Sequence, residues 1–92
     1  SAESSEMYKQ IKKFIPRLTK QIREGTEEEP LLDEERGHYL IDEKNRTIDL
    51  TDDGYLKVEE LLEEANIIGE GDGLYSVSNL KIMRFVQASL KW

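Results

Sequence analysis

The stretch HYLIDEKNRTIDLTDDGYLKVEELL, residues 38–62, predicts two short strands that fold back on each other and lead directly into a helix. Residues 39–41 and 47–50 are mostly β-branched, aromatic or aliphatic, as is typical of strands. A turn sequence lies between them, and Asn45 suits the left-handed position that closes a three-residue loop. We therefore expect a β-hairpin over residues 38–50.

One face of this hairpin is predicted to be apolar. Alternate side chains of a strand point to the same side, so Tyr39 and Ile41 share a face, as do Ile48 and Leu50. The following helix is expected to cover that face. Thr51 is placed to cap this helix, and the two aspartates after it complement the positive end of the helix dipole.

Apolar residues at three- and four-residue steps predict three helices around the hairpin. These helices are expected over about residues 5–24, 52–65 and 77–91. Residues 25–37 contain two glycines, a proline and six acidic residues without periodicity, which indicates an exposed acidic loop. The sequence thus predicts a single small α+β domain, in which a hairpin packs against about three helices.

Two residues are predicted to interrupt or end these helices. Pro16 lacks a backbone N–H and clashes with the preceding turn, so we expect a kink or a restart of the first helix there. Asn66 tolerates the left-handed conformation, so we expect it to stop the second helix.

The net charge of −7 is unevenly distributed along the chain. Residues 1–24 contain six Lys or Arg and three Glu, so the remainder carries a net charge of −10. This acidic balance argues against nucleic-acid binding, which needs a positive surface. The basic residues of the first helix are expected to form a solvated face, with docking to an acidic partner as the alternative.

Cysteine is absent from the sequence, which excludes a disulfide and thiolate chemistry. No apolar run approaches the roughly 20 residues of a membrane span, and the first residues lack the pattern of a signal peptide. Ser1-Ala2 and the end of the chain at Trp92, directly after helical periodicity, indicate a piece of a larger protein.

A calcium site over residues 49–60 is an alternative function. Asp49, Thr51, Asp53 and Glu60 nearly fit the ligand spacing of an EF-hand loop. Thr51 is a weak ligand where a carboxylate is usual, and a strand leads into this segment where an EF-hand needs a helix. A capped helix explains the same residues without a metal.

An active site is not expected within this chain. The sequence has no G-x-x-x-x-G-K-[ST] motif, so the chain alone should not bind ATP, and the acidic, glycine-rich segment 69–73 is expected to be a turn. His38 is the only imidazole, and its place at the start of a strand favours a structural role. No cofactor is expected in these residues.

Three segments of the chain resemble the preprotein cross-linking domain of the SecA family. They are SSEMYKQIKKFIPRL near the start, GHYLIDEKNRTIDLTDDG followed by VEELL in the middle, and GDGLYSVSNLKIMRFVQASL near the end. The resemblance spans nearly the whole chain, although the acidic segment 27–35 matches no motif of the family.

The resemblance implies a function for the protein that contains this domain. It implies an ATP-driven preprotein translocase whose ATP and magnesium bind in other domains. It also implies that this lobe helps to clamp unfolded preproteins and signal peptides, working with the SecYEG channel and with other domains of the same motor. The expected location is cytoplasmic, peripheral at the cytoplasmic face of the bacterial inner membrane.

Unfolded chains can be held by pairing at a sheet edge and by shallow apolar contacts. The outer strand of the hairpin, over residues 39–41 or 48–50, is the expected edge. The preprotein-binding candidates are aromatic and aliphatic residues of the hairpin and of the third helix with its preceding turn, namely Tyr39, Ile41, Ile48, Leu50, Tyr75, Ile82 and Phe85. A generic protein-interaction domain without a link to export is the remaining alternative.

Overall fold

A computed structural model describes residues 2–25, 28, 30–68 and 77–92, with the backbone alone for residues 2–5 and 77–79. The described elements are three helices and one antiparallel hairpin, so the predicted α+β class is confirmed. In chain order they are α1 (Ala2–Glu24), β1 (Tyr39–Asp42), β2 (Thr47–Leu50), α2 (Asp52–Glu64) and α3 (Val77–Ser89).

The hairpin has the predicted faces. Tyr39 lies opposite Leu50, and Ile41 lies opposite Ile48. Because directly paired residues point to the same side of an antiparallel sheet, these four apolar side chains form one continuous face. Helix α2 packs against β2, and α3 packs against both β2 and α1.

The turn of the hairpin differs from the prediction. Residues 43–46 form a four-residue loop, and the left-handed residue is Arg46 (φ 55°), not Asn45. The carboxylate of Asp42 accepts hydrogen bonds from the backbone N and the Nδ2 of Asn45, at 3.1 and 2.8 Å. These bonds hold Asn45 inside the turn, so the reversal is completed one residue later.

Helix α1 runs as one helix through Pro16, so the predicted restart does not occur. Pro16 is exposed, while Ile11, Ile15 and Leu18 on the other side of the helix are buried. Core packing both before and after the proline holds the helix together and offsets the missing backbone hydrogen bond.

Helix α2 is capped at both ends. The Thr51 hydroxyl accepts a hydrogen bond from the backbone N–H of Gly54 at 3.2 Å, which confirms the predicted N-cap. At the other end, Asn66 is left-handed (φ 58°), as predicted, and the N–H of Ile67 donates to the carbonyl of Leu62 at 2.9 Å. This six-to-one bond is the signature of a Schellman motif.

The chain leaves α3 and returns to the hairpin. Helix α3 ends at Ser89, and Lys91 then pairs with Thr47 at the outer edge of β2. The N–H of Trp92 donates to the carbonyl of Arg46 at 2.9 Å. The helix therefore ends two residues before the predicted position, because the last residues pair with the sheet.

One apolar core joins all of these elements. Side chains from α1, the hairpin, α2 and α3 are almost completely buried in it, and Leu32 contributes from the loop that precedes the hairpin. The members buried to below 2% exposure are Ile11, Leu18, Leu32, Ile48, Val58, Leu62, Met83, Val86 and Leu90.

Gly54 allows α2 to approach the hairpin. A Cβ atom at this position would lie 1.8 Å from the carbonyl oxygen of His38, a backbone atom that cannot move aside as a side chain can. The same oxygen accepts a hydrogen bond from the N–H of Thr51 at 3.2 Å. Only glycine fits between the first turn of α2 and the start of β1.

We expect Gly54→Ala to lower the free energy of unfolding by about 2 kcal/mol or more, because the new methyl group collides with the backbone at His38. An alanine in place of glycine in an ordinary helix position stabilises by roughly 0.5–1 kcal/mol, so the sign of the change is diagnostic. Urea unfolding measures it, with Glu64→Ala at an exposed position of the same helix as the control. Equal or greater stability of Gly54→Ala would contradict the close approach.

Glu59 gives a pH-dependent prediction. Its side chain is 8% exposed, and burial raises its pKa, with a further contribution from the charge and hydrogen bond of Glu63. A carboxyl whose pKa is raised in the folded state destabilises the fold when it is ionised, and this cost disappears as the pH falls through the folded-state pKa.

We therefore expect Glu59→Gln to raise the urea midpoint at pH 7, and to have little effect near about pH 4, where the carboxyl of the wild type is largely protonated. Glu64→Gln is the control, because Glu64 is an exposed carboxylate of the same helix. A lower urea midpoint for Glu59→Gln at pH 7 would show that the ionised carboxylate stabilises the fold, which would contradict the prediction.

Candidate functional site

Most of the predicted preprotein-binding side chains lie in or against the core. Tyr39, Ile48, Leu50 and Ile82 are buried, with exposures between 0 and 8%. Ile41 and Phe85 are half-buried and pack against the core, and Tyr75 lies outside the described residues. The side chains of the four buried residues contact other parts of the same chain and stabilise the domain.

Tyr39 shows how a candidate contact residue is held inside. Its hydroxyl donates to the carbonyl of Ile22 in α1 at 3.4 Å, linking the hairpin to the first helix. Burial raises the pKa of this phenol, and the charges of Glu34 and Asp33 raise it further. The ring therefore serves as a buried, neutral anchor for β1.

Phe85 of α3 packs edge-to-face against Tyr8 of α1. The ring centroids are 5.0 Å apart and the ring planes meet at 64°. Both rings are half-buried, so this aromatic pair joins α1 and α3 while keeping part of its surface in solvent. Among the predicted side chains, Phe85 and Ile41 are the two that keep an accessible part in the described structure.

The two edges of the hairpin differ. At the outer edge of β2, Lys91 pairs with Thr47 and the N–H of Trp92 bonds to the carbonyl of Arg46. The backbone N–H of Thr51 donates to the carbonyl of His38 at 3.2 Å, and these two residues lie opposite each other in the register of the hairpin. Because hydrogen-bonded and non-hydrogen-bonded pairs alternate along an antiparallel ladder, this bond identifies the hydrogen-bonded pairs of β1 and β2.

In that alternation, the backbone groups of Leu40 and Asp42 face β2, and those of Tyr39 and Ile41 face away from it. Within the described residues, no segment outside the hairpin forms a backbone hydrogen bond to Tyr39 or Ile41. Two N–H and two C=O groups along the outer edge of β1 therefore have no backbone partner within the described residues. Leu40, between them, is one of two large apolar side chains that are strongly exposed in the described residues, at 58%.

A depression of about 360 Å³ lies between β2 and α3. The Nε2 of Gln87 donates to the Oδ1 of Asp49 across it, at 3.1 Å. Its lining combines a cation, a carboxylate, an amide, a hydroxyl and a methyl group, from Thr47, Asp49, Arg84, Gln87 and Ala88.

The sequence alone predicts no functional role for the α3 residues that line this depression. Arg84, Gln87 and Ala88 follow no motif, and polar residues on a helix face are ordinarily solvated. Only the packing of α3 against β2 brings them next to Thr47 and Asp49. Asp49 is one of the four candidate calcium ligands named from the sequence.

The four candidate calcium ligands are not brought together. Thr51 is occupied as the cap of α2 and also donates to the carbonyl of Gly37. Asp49 bonds to Gln87, while Glu60 is exposed beside Lys57, 3.9 Å from its Nζ. Across the described ranges, no three His, Cys, Asp or Glu side chains are grouped so that they could hold a metal ion.

His38 has a structural partner. The Nδ1 of its imidazole accepts a hydrogen bond from the backbone N–H of Asp33 at 3.2 Å. The backbone N–H of His38 donates to the carbonyl of Asp33 at 2.9 Å. This pair of bonds closes the loop before β1. The imidazole thus orders the backbone here, as its position before a strand predicted.

None of the described helices combines the length and the apolar composition that a membrane span requires.

Comparison with known proteins identifies the family. The family model described as the SecA preprotein cross-linking domain matches residues 3–92. Over 90 residues the chain is 43% identical to the protein translocase subunit SecA of Coxiella burnetii (strain RSA 493 / Nine Mile phase I). That alignment covers 97% of this chain and 10% of the relative, so the chain spans about a tenth of the relative's length. The predicted resemblance is confirmed, and the chain belongs to the SecA preprotein cross-linking domain family.

Proposed function

We propose that this domain is the preprotein-binding lobe of a SecA-type translocase subunit. In that role it helps to form the clamp that holds unfolded preprotein and its signal peptide during ATP-driven export through the SecYEG channel. The family match over residues 3–92 supports the translocase context. The open outer edge of β1 is the observation that carries the binding role.

Edge pairing suits a substrate of variable sequence. The outward backbone groups of Tyr39 and Ile41 can form up to four main-chain hydrogen bonds with one extended segment. Every amino acid except proline supplies the same donor and acceptor, so affinity from this edge does not depend on the side chains of the substrate. This is the property that a clamp for many preproteins requires.

Side chains beside the edge add apolar contact. Leu40 is 58% exposed, and Ile41 keeps part of its surface accessible on the opposite face. A segment paired with β1 would place alternate side chains next to these two residues. Burying a few aliphatic groups there contributes area without a deep, selective pocket.

The outer edge of β2 is a poorer candidate. Lys91 and Trp92 pair with Thr47 and Arg46 at the start of this strand, α3 packs against it, and Ile48 in its middle is completely buried. We therefore assign substrate pairing to residues 39–41, which was one of the two edges predicted from the sequence.

The remaining parts of the mechanism lie outside this chain in the proposal. ATP and magnesium bind in other domains of the parent protein, which convert hydrolysis into movement of this lobe. The parent is cytoplasmic and peripheral at the cytoplasmic face of the bacterial inner membrane. The lobe itself supplies binding and no chemistry.

An amide NMR titration with an unfolded, signal-peptide-bearing preprotein segment tests the role of β1. We expect saturable shifts concentrated at residues 39–42. We expect Ile41→Pro to weaken binding by about tenfold or more, because proline removes the outward N–H while leaving the ladder to β2 intact.

Ile41→Ala is the matched control, because it also shortens the side chain but keeps the N–H. Equal loss of affinity in both variants would assign binding to the side chain and contradict edge pairing. No shifts at several hundred micromolar, which still detects a Kd near about 1 mM, would contradict autonomous preprotein binding by this domain.

A further inference from the structure

Helix α1 carries a continuous basic stripe on its outer face. The stripe consists of six exposed side chains: Lys9, Lys12, Lys13, Arg17, Lys20 and Arg23. At 1.5 Å per residue it extends for about 21 Å along the helix. The inner face of the same helix is buried in the core through Ile11, Ile15, Leu18 and Ile22.

The positive charge of this stripe is scarcely neutralised within the described part of the chain. Arg23 forms a loose contact with Glu24 at 3.8 Å, and both side chains are about half exposed. The other described ion pairs involve Arg36 and Lys57, which belong to different elements. The stripe therefore presents a positive field on a domain whose residues after α1 carry a net charge of −10.

The size of the stripe limits the kind of anion that fits. At physiological ionic strength the field of a surface charge decays over about 8 Å. A short anion no longer than the stripe is close to the basic residues alone. A bilayer or a long duplex extends beyond the stripe, so most of its charge lies outside the field of the basic residues.

The chemistry of the stripe also favours a polypeptide as the partner. The stripe contains no aromatic ring on which bases could stack. The apolar face of α1 is committed to the core, so this helix has no free apolar side to insert into a membrane interface. Lysine and arginine on a convex helix face instead suit carboxylates spaced along a flexible segment.

We propose that the outer face of α1 is a docking surface for a short acidic segment of a partner protein. The surface lies on a different element from the β1 edge. This inference does not depend on preprotein binding.

Fluorescence anisotropy with a labelled peptide of alternating glutamate and serine tests the docking surface, using the full 92-residue chain. We expect saturable binding that weakens at least tenfold between about 20 and about 150 mM NaCl. We expect the triple variant Lys13→Gln, Arg17→Gln, Lys20→Gln to bind the peptide at least about tenfold more weakly. Each exposed charge contributes a modest part of the binding free energy, and three such parts are lost together.

A second triple variant provides the control for net charge. Lys44→Gln, Lys81→Gln and Lys91→Gln remove the same total charge from exposed positions outside α1. We expect this variant to bind the peptide within about twofold of the wild type. Equal losses in the two triple variants would show a non-specific charge effect and overturn the proposal.

Two further probes decide the class of partner. Vesicles containing phosphatidylglycerol and a DNA duplex of about 20 base pairs, which at roughly 3.4 Å per base pair is longer than the stripe, are compared with the peptide at the same ionic strength. We expect both to bind more weakly than the acidic peptide. Binding of either as tightly as the peptide, with loss in the α1 variant, would overturn the assignment to an acidic polypeptide, and so would absence of peptide binding at low salt.

Discussion

The close contact between the start of β1 and the first turn of α2 sets the geometry of this domain. The carbonyl of His38 accepts a hydrogen bond from Thr51, and it lies where a Cβ atom of Gly54 would be. Thr51 contributes a second link, because its hydroxyl donates to the carbonyl of Gly37 while capping α2. The helix must therefore leave the hairpin at one angle. That angle brings Val58 and Leu62 into the core that the apolar face of the hairpin shares.

The same contact connects the loop before the hairpin to the rest of the fold. Asp33 and His38 exchange two hydrogen bonds, so the loop that contains Leu32 is tied to the start of β1. Leu32 is completely buried, although it belongs to a segment without periodicity. Tyr39, directly after this junction, reaches α1 through its hydroxyl. Loop, hairpin and two helices thus meet around residues 37–39, which leaves little freedom for β1 to move within the domain.

This construction limits what the hairpin can offer to a partner. The apolar side chains of the hairpin are used to stabilise the fold, so what the hairpin offers to a partner is mainly the backbone at the outer edge of β1. At the start of β2, Thr47 is already paired with Lys91 of the same chain. The basic stripe of α1 lies on another element and offers charge where the edge offers hydrogen bonds. Two surfaces of different chemistry are therefore available on one small core.

The sequence by itself determined the elements of this protein, since local signals were strong. Alternation placed Tyr39, Ile41, Ile48 and Leu50 on one face, Thr51 indicated the start of α2, and Asn66 indicated its end. The motifs also identified the family. Only the tertiary structure decided which residues are accessible, where the last residues pair with the hairpin, and why residue 54 is a glycine. It also decided that α1 passes through Pro16 unbroken and that the turn ends at Arg46. These outcomes depend on contacts between residues far apart in the chain, such as Lys91 with Thr47 and Gln87 with Asp49, and periodicity within a segment carries no information about them.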